Sequence, residues 1–402
     1  MEILLVQLIA LIARWVHIVA AMAWIGSSFY FFAVDSSLKR PAGLPHGIAG
    51  ETWQVHGGGF YHLQKYIVAP AALPDELTWF KWEAYTTWIA GFVLLLSVYY
   101  FQPSIYLVDP AIAPMAGWQA SLLGIGSLVL GWIVYDRLCK SPVGRNLKVL
   151  GLAGYGILLC TIYGYLHLFS GRGAYIHIGA LVGTLMVGNV FFVIIPNQKK
   201  VIADLLRHVS PDPALGDEAK QRSLHNNYLT LPVVFLMMSN HYPLVYQSAY
   251  SWILIVGVFA AGFVIRHYFN VKHAGGKPQW WLWPAAGAVG LGCAIVVLFA
   301  AAQEDSADGA AAPVSFQEIR TIIGERCLTC HSRVPQYAGL TAPPKGITFD
   351  TPEDIIKYSP QIYEQAIVTK AMPLNNITRI TENERHQLET WIASQGSPHD
   401  HP

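Results

Sequence analysis

The sequence predicts an all-α membrane protein, an eight-helix transmembrane bundle followed by a small C-terminal domain, and three observations carry that prediction. Apolar residues fill 53% of the 402 positions and charged residues only 13%. Mean hydropathy is +0.37, too oily and charge-poor for a soluble domain. An apolar run of about 20 residues crosses the ~30 Å hydrocarbon layer as a helix, and eight such runs recur along the chain. Lys and Arg cluster in alternate connections. The net charge of +1 gives no field that would recruit nucleic acid or another polyanion.

The predicted spans run from Trp15 to Val34, Thr86 to Phe101 with a start near Trp82, Gly117 to Tyr135, Val149 to Phe169, Ala174 to Ile195, Tyr228 to Tyr246, Trp252 to Tyr268 and Leu282 to Ala301. Basic residues that stay in the cytoplasm fix orientation. Lys39 and Arg40 follow the first span; Arg137, Lys140, Arg145 and Lys148 the third; Lys199, Lys200, Arg207, Lys220 and Arg222 the fifth; Arg266, Lys272 and Lys277 the seventh. Arg172 is the exception among the intervening loops. Both termini are therefore expected outside. No basic region precedes the first apolar run, so that run is expected to stay in the protein.

The expected organisation is a membrane domain over residues 1–302, with a long cytoplasmic insertion near 41–81, then a small polar tether at 303–313 and a compact domain at 314–402. Trp15-Val-His-Ile-Val-Ala aligns with Tyr175-Ile-His-Ile-Gly-Ala, putting His17 and His177 at matching points of spans one and five. Two parallel four-helix halves would explain this; so would chance similarity between apolar helices.

Cys327-Leu-Thr-Cys330-His331 is the pattern of covalent c-type haem attachment, two thiols and an iron-ligating imidazole on one helical turn. Zinc would need further ligands, and the domain offers only His386, His399 and His401. Met372, before Pro373, is the only methionine after the motif and the expected second axial ligand. Thr381 and Glu384 then open a closing helix. Cys139, Cys160 and Cys293 read as small buried apolar residues. A covalent haem outside the cytoplasm agrees with the orientation given by the loop charges.

Ionisable groups at membrane depth are costly and usually functional. His17, His167, His177 and His241 fall toward the outer half of their helices. Opposed histidines could ligate a b-type haem, His17 with His177 first, with His167 and His241 as substitutes; the bland reading is imidazoles hydrogen-bonded between helices. On the inner side, Val55-His-Gly-Gly-Gly-Phe-Tyr-His-Leu-Gln-Lys65 combines glycines, aromatics and proton acceptors. His56, Tyr61, His62, Lys65, Glu83 and Asn226 are the catalytic candidates; a flexible amphipathic surface loop is the alternative for the glycine segment. Neighbouring His225, Asn227, Asn240 and Arg266 add polar groups.

The whole chain resembles the membrane-bound, cytochrome-c-fused urate oxidase family of bacterial purine catabolism. The resemblance lies in Trp15-Val-His-Ile-Val-Ala-Ala-Met-Ala-Trp-Ile-Gly, His56-Gly-Gly-Gly-Phe-Tyr-His, Trp79-Phe-Lys-Trp-Glu-Ala-Tyr, His225-Asn-Asn-Tyr, Ser239-Asn-His-Tyr-Pro and the terminal haem motif. It implies oxidation of urate to 5-hydroxyisourate without hydrogen peroxide. Electrons would pass through haem to the cytochrome domain and on to a soluble or membrane respiratory cytochrome, at a bacterial inner membrane with that domain in the periplasm. The alternative is a non-catalytic haem subunit in the lipid bilayer, relaying electrons from a quinol or partner dehydrogenase.

Overall fold

The computed structural model describes residues 2–67, 73–248, 250–273, 277–306, 314–337 and 340–394. It is mostly helical. Helix α1 (Glu2–Ser37) leads into strands β1 (Ile48–His56) and β2 (Gly59–Tyr66), followed by α2 (Trp82–Leu94), which continues through a π-helical turn to Tyr100. Next come α3 (Pro103–Tyr106), α4 (Gly117–Lys140), α5 (Leu147–Leu166) and α6 (Gly171–Gly188), the last joined by a second π-helical turn to α7 (Ile195–Leu206). The bundle closes with α8 (Pro213–Ser239), α9 (Pro243–Gln247), α10 (Ser251–His273) and α11 (Leu282–Ser306). Among the described residues, six helical stretches are long and apolar enough to cross a membrane. The other two long segments fall short for local reasons. Helix α2 has 13 residues before its π-helical turn, and α8 opens with Asp217, Glu218, Lys220 and Arg222.

Four expectations need correction. The insertion near 41–81 holds an antiparallel hairpin, an element the all-α expectation did not include, in a fold that is otherwise mostly helical. Gly57 and Gly58 have φ of 57° and 80° and form the two-residue turn between paired His56 and Gly59; positive φ at both positions is what this hairpin turn demands and glycine supplies at least cost. Two of the three consecutive glycines are thus explained by the turn, and Gly59 begins β2. Second, α11 continues through Ser306, absorbing the start of the tether, whose remainder lies outside the described residues. Third, Arg222 and Arg266 belong inside helices α8 and α10, buried at 0% and 6% exposure, not in cytoplasmic loops. Fourth, spans one and five are not in equivalent surroundings. In its most apolar stretch α1 is 6% buried, whereas the continuous α6–α7 helix is 61% buried. Helix α6 is the hub, and α1 presents Leu4, Leu8, Leu11 and Trp15 outward, as a lipid-facing helix should.

The main core gathers around α6. Tyr175 and Ile178 pack with Leu107, Phe169, Leu236, Ile255 and Phe259 from the surrounding elements. A separate core forms from α12 (Phe316–Arg326), the single turn α13 (Leu328–His331), α14 (Pro352–Lys357), α15 (Ser359–Ile362) and α16 (Glu382–Ser394), through Ile319, Ile323, Phe349, Leu388 and Trp391. Its helices start on reciprocal caps. Ser315 and Glu318 bond one another's backbone N–H at α12, and Thr381 and Glu384 do so at α16, satisfying amides the helix leaves open. Arg326 ties the two helices together through Glu384 at 2.8 Å. This unit rests on the bundle end formed by α3 and α9. Asn375 donates to the Ile105 carbonyl, and Gln247 donates to that of Lys370 at 2.6 Å.

Candidate functional sites

Cys327 closes α12, and the amides of Cys330 and His331 both return to its carbonyl, at 3.1 and 2.9 Å. This tight turn brings both thiols and the imidazole together. Neither thiol is in a disulfide. His331 Nδ1 donates to the Ile347 carbonyl at 3.0 Å, which leaves Nε2 as the lone-pair donor, the arrangement in which a metal-binding histidine is oriented. Burial lowers the His331 pKa against a smaller opposing effect of that hydrogen bond, and burial pushes the Cys327 thiol up to about 12. Arg385 grips the chain between, donating to the Ala366 carbonyl and, at 2.9 Å, to that of Met372. Two free thiols, an imidazole with unengaged Nε2 and a half-buried thioether suit a covalent c-type haem. Among the described residues no three His, Cys, Asp or Glu side chains converge as a metal site, and His399 and His401 lie outside them.

The hairpin scatters the catalytic candidates it carries. Alternate residues of a strand face opposite sides, so His62 turns away from His56, Tyr61 and Lys65. His62 is occupied, 3.0 Å from Glu51 and stacked on Trp53 at 4.3 Å. Lys65 pairs with Asp35 at 2.6 Å, fastening the hairpin to the end of α1. Glu83 lies elsewhere, on an apolar cavity of about 360 Å³ between α1 and α2 that Trp15, Val19 and Trp82 also line. These residues do not form one site.

Asn226 is in different company. His225 and Asn226 follow Arg222 by three and four residues, about one turn, so all three lie on the same side of α8. Asn189 Nδ2, on the π-helical turn after α6, donates to Asn226 Oδ1 at 2.8 Å and to the Tyr135 hydroxyl at 2.9 Å. His225 Nδ1 is 2.7 Å from that same hydroxyl. Arg222 lies over the Tyr135 ring at 5.0 Å and pairs with Asp136 at 2.9 Å. The next residue, Asn227, turns toward α10, accepting from Arg266 Nε at 3.0 Å. Sequence reading missed Tyr135, Asp136, Asn189 and Arg222 as site residues, and included Arg266 among the polar groups of the same face. The Arg222, His225, Asn226 spacing was the available signal.

A family model described as Urate oxidase N-terminal matches residues 3–300. The chain belongs to that family. The match spans every element from α1 to α11, including the hairpin and the polar cluster, and ends before the unit carrying the Cys327 motif. No curated protein and no solved structure matched the chain.

At the opposite end of the urate oxidase bundle, His177 is fully buried. Its Nδ1 donates to the Gly173 carbonyl at 2.8 Å, so Nε2 accepts from the Tyr100 hydroxyl at 2.8 Å. Phe169, Tyr99 and Tyr165 surround the ring at 4.9, 6.1 and 6.2 Å. A Cβ at Gly124 would come within 2.8 Å of Nε2, so this glycine is required for the helices to close on the imidazole. His17 sits apart from it. Its Nδ1 donates to the Thr87 carbonyl at 2.7 Å, and a Cβ at Gly91 would lie 2.9 Å from its ring. Gly91 and Tyr100 are nine residues apart, about 13 Å along a helix. His17 and His177 therefore do not oppose each other, and Tyr100 already fills the lone pair that iron would use. His167 and His241 are exposed, His167 lying against Tyr163 at 4.0 Å. The expected b-haem pair does not fit this arrangement.

Proposed function

We propose that the protein oxidises urate to 5-hydroxyisourate within the bundle and delivers the electrons to a covalent c-type haem on its C-terminal unit. One observation carries the reading: a urate oxidase family bundle is fused to, and bears on its α3–α9 end, a unit with the Cys327-x-x-Cys330-His331 turn. The balance is urate plus water giving 5-hydroxyisourate, two protons and two electrons, so oxygen is not consumed and hydrogen peroxide is not formed. The haem, when bound, supplies one-electron acceptance, in two successive transfers. Cys327 and Cys330 would hold it, and His331 and Met372 would ligate its iron. Respiratory cytochromes are the onward acceptors.

The layout supports this reading. The inner polar cluster supplies amides, a histidine and a tyrosine for binding and proton transfer. At the other end, the Tyr99 ring lies 6.1 Å from both His177 and Tyr106, and Arg172 caps Tyr106 at 5.2 Å. Aromatic side chains thus lead from the bundle core to α3, the helix against which Asn375 of the C-terminal unit rests. Arg137, Lys140, Arg145, Lys148, Lys199 and Lys200 gather at the end away from that unit, which agrees with eight crossings of an inner membrane and a periplasmic C-terminal unit.

Adding urate anaerobically to the oxidised, haem-loaded protein tests the reading. Haem reduction matched by loss of urate absorbance is expected, with His331→Ala losing the reduction. Reduction by a quinol and not by urate would leave an electron conduit in its place.

A further inference from the structure

Arg222 and Arg266 are both buried in the bundle, and among the described residues only Arg222 has a counter-ion. Arg222 has Asp136 at 2.9 Å. Arg266, 6% exposed, has no carboxylate at ion-pair distance among the described residues. It has instead two rings of α1, Phe29 at 4.7 Å and Phe32 at 5.3 Å. Aromatic faces attract a cation without neutralising it. An uncompensated charge in a low-dielectric interior costs several kcal/mol, and the matching anion is therefore expected from outside the chain.

The hydrogen-bonding surplus has the same sign. Arg266 Nη2 and Asn227 Nδ2 are buried with no partner, as are both amide atoms of Asn270, one turn further along α10. The unmet groups are three donors and one acceptor. A planar anion carrying carbonyl oxygens and a ring N–H complements that set. Urate near neutral pH is such an anion.

We propose that Arg266 and Asn227 recognise the anionic purine, with Asn270 accepting from a ring N–H and Phe29 and Phe32 bounding the plane. This deepens the urate reading and rests on it. It also moves recognition away from the hairpin, whose His62 and Lys65 already hold Glu51 and Asp35.

The test uses the complete haem-loaded protein, reduced with dithionite so that bound urate cannot be oxidised, and measures urate and neutral hypoxanthine by equilibrium dialysis. Arg266→Gln is expected to weaken urate by at least about 30-fold, as for loss of one partner of a buried charge pair, while hypoxanthine changes less than about threefold. Asn227→Asp places a carboxylate at the guanidinium. It should raise the Tm and weaken urate comparably, because the chain then supplies its own counter-ion. A raised Tm with unchanged urate affinity in Asn227→Asp would assign Arg266 a structural role and overturn the proposal; so would unchanged affinity in Arg266→Gln. A wild-type protein that neither binds urate nor is reduced by it would overturn the urate reading itself.

Discussion

Two regions of the continuous α6–α7 helix, one near its start and one at its middle, bury polar groups in opposite ways. Around His177 every hydrogen-bonding atom of the imidazole is engaged, one by a backbone carbonyl and one by Tyr100, and the rest of the surroundings are aromatic. Twelve residues along, around Asn189, the bundle buries amides and two arginines and leaves Arg222 Nε, Arg266 Nη2 and Asn227 Nδ2 unmatched. A closed network serves packing and orientation, whereas buried donors in surplus are maintained at a cost and mark where a ligand is expected. The His177 region is therefore built to hold its geometry, and the Asn189 region to receive a ligand.

The comparison can be broken at several points. The largest stability effect is expected at Asp136→Asn, which leaves Arg222 without its counter-ion. Removing one partner of a buried pair costs about 3–5 kcal/mol, read as a fall in Tm of the detergent-solubilised protein. An unchanged Tm would mean that water or lipid already reaches the guanidinium. Tyr100→Phe removes the donor to His177 Nε2 and should cost about 1–3 kcal/mol. Here anaerobic urate binding should remain as in the wild type; weakened binding would show that the outer cage also touches substrate.

The smallest effect lies in the C-terminal unit, where charge is arranged at the surface. Burial would raise the Glu384 pKa, but hydrogen bonds from Arg326 and from Thr381 outweigh it and hold the group below its ordinary value. A depressed folded-state pKa contributes stability that is present above the unfolded value and lost as pH falls through the folded one. Glu384→Gln should therefore destabilise this unit near neutral pH and flatten its loss of stability below about pH 4. Unfolding followed by tryptophan fluorescence of Trp391 against pH measures this, and a parallel acid transition in both proteins would refute it.

Much of the architecture was legible because it depends on nearest neighbours in the chain. Apolar length located six long helices, though α1 begins at Glu2 and not near Trp15, and the Thr381–Glu384 pattern placed the start of α16 to the residue. Errors came where the signal was local but ambiguous. Gly57 and Gly58 were read as room for a ligand, yet the same two residues are what a tight hairpin turn requires. Arg222 and Arg266 read as loop charges because the end of a long helix carries its basic residues at the same place in the sequence as a loop would. His17 and His177 align in sequence, but the bundle makes α1 peripheral and α6 central.

By itself, the sequence determined that this chain is apolar enough for a bilayer, and that two thiols and an imidazole share one turn, because hydropathy and helical spacing are properties of contiguous residues. Only the tertiary structure decided which polar groups meet. Arg266 reaches Phe29 of α1, and Asn189 joins Tyr135 to Asn226, across separations along the chain at which no periodicity survives. Those encounters are set by which helices pack against α6, and with them where the membrane protein leaves a buried positive charge unanswered.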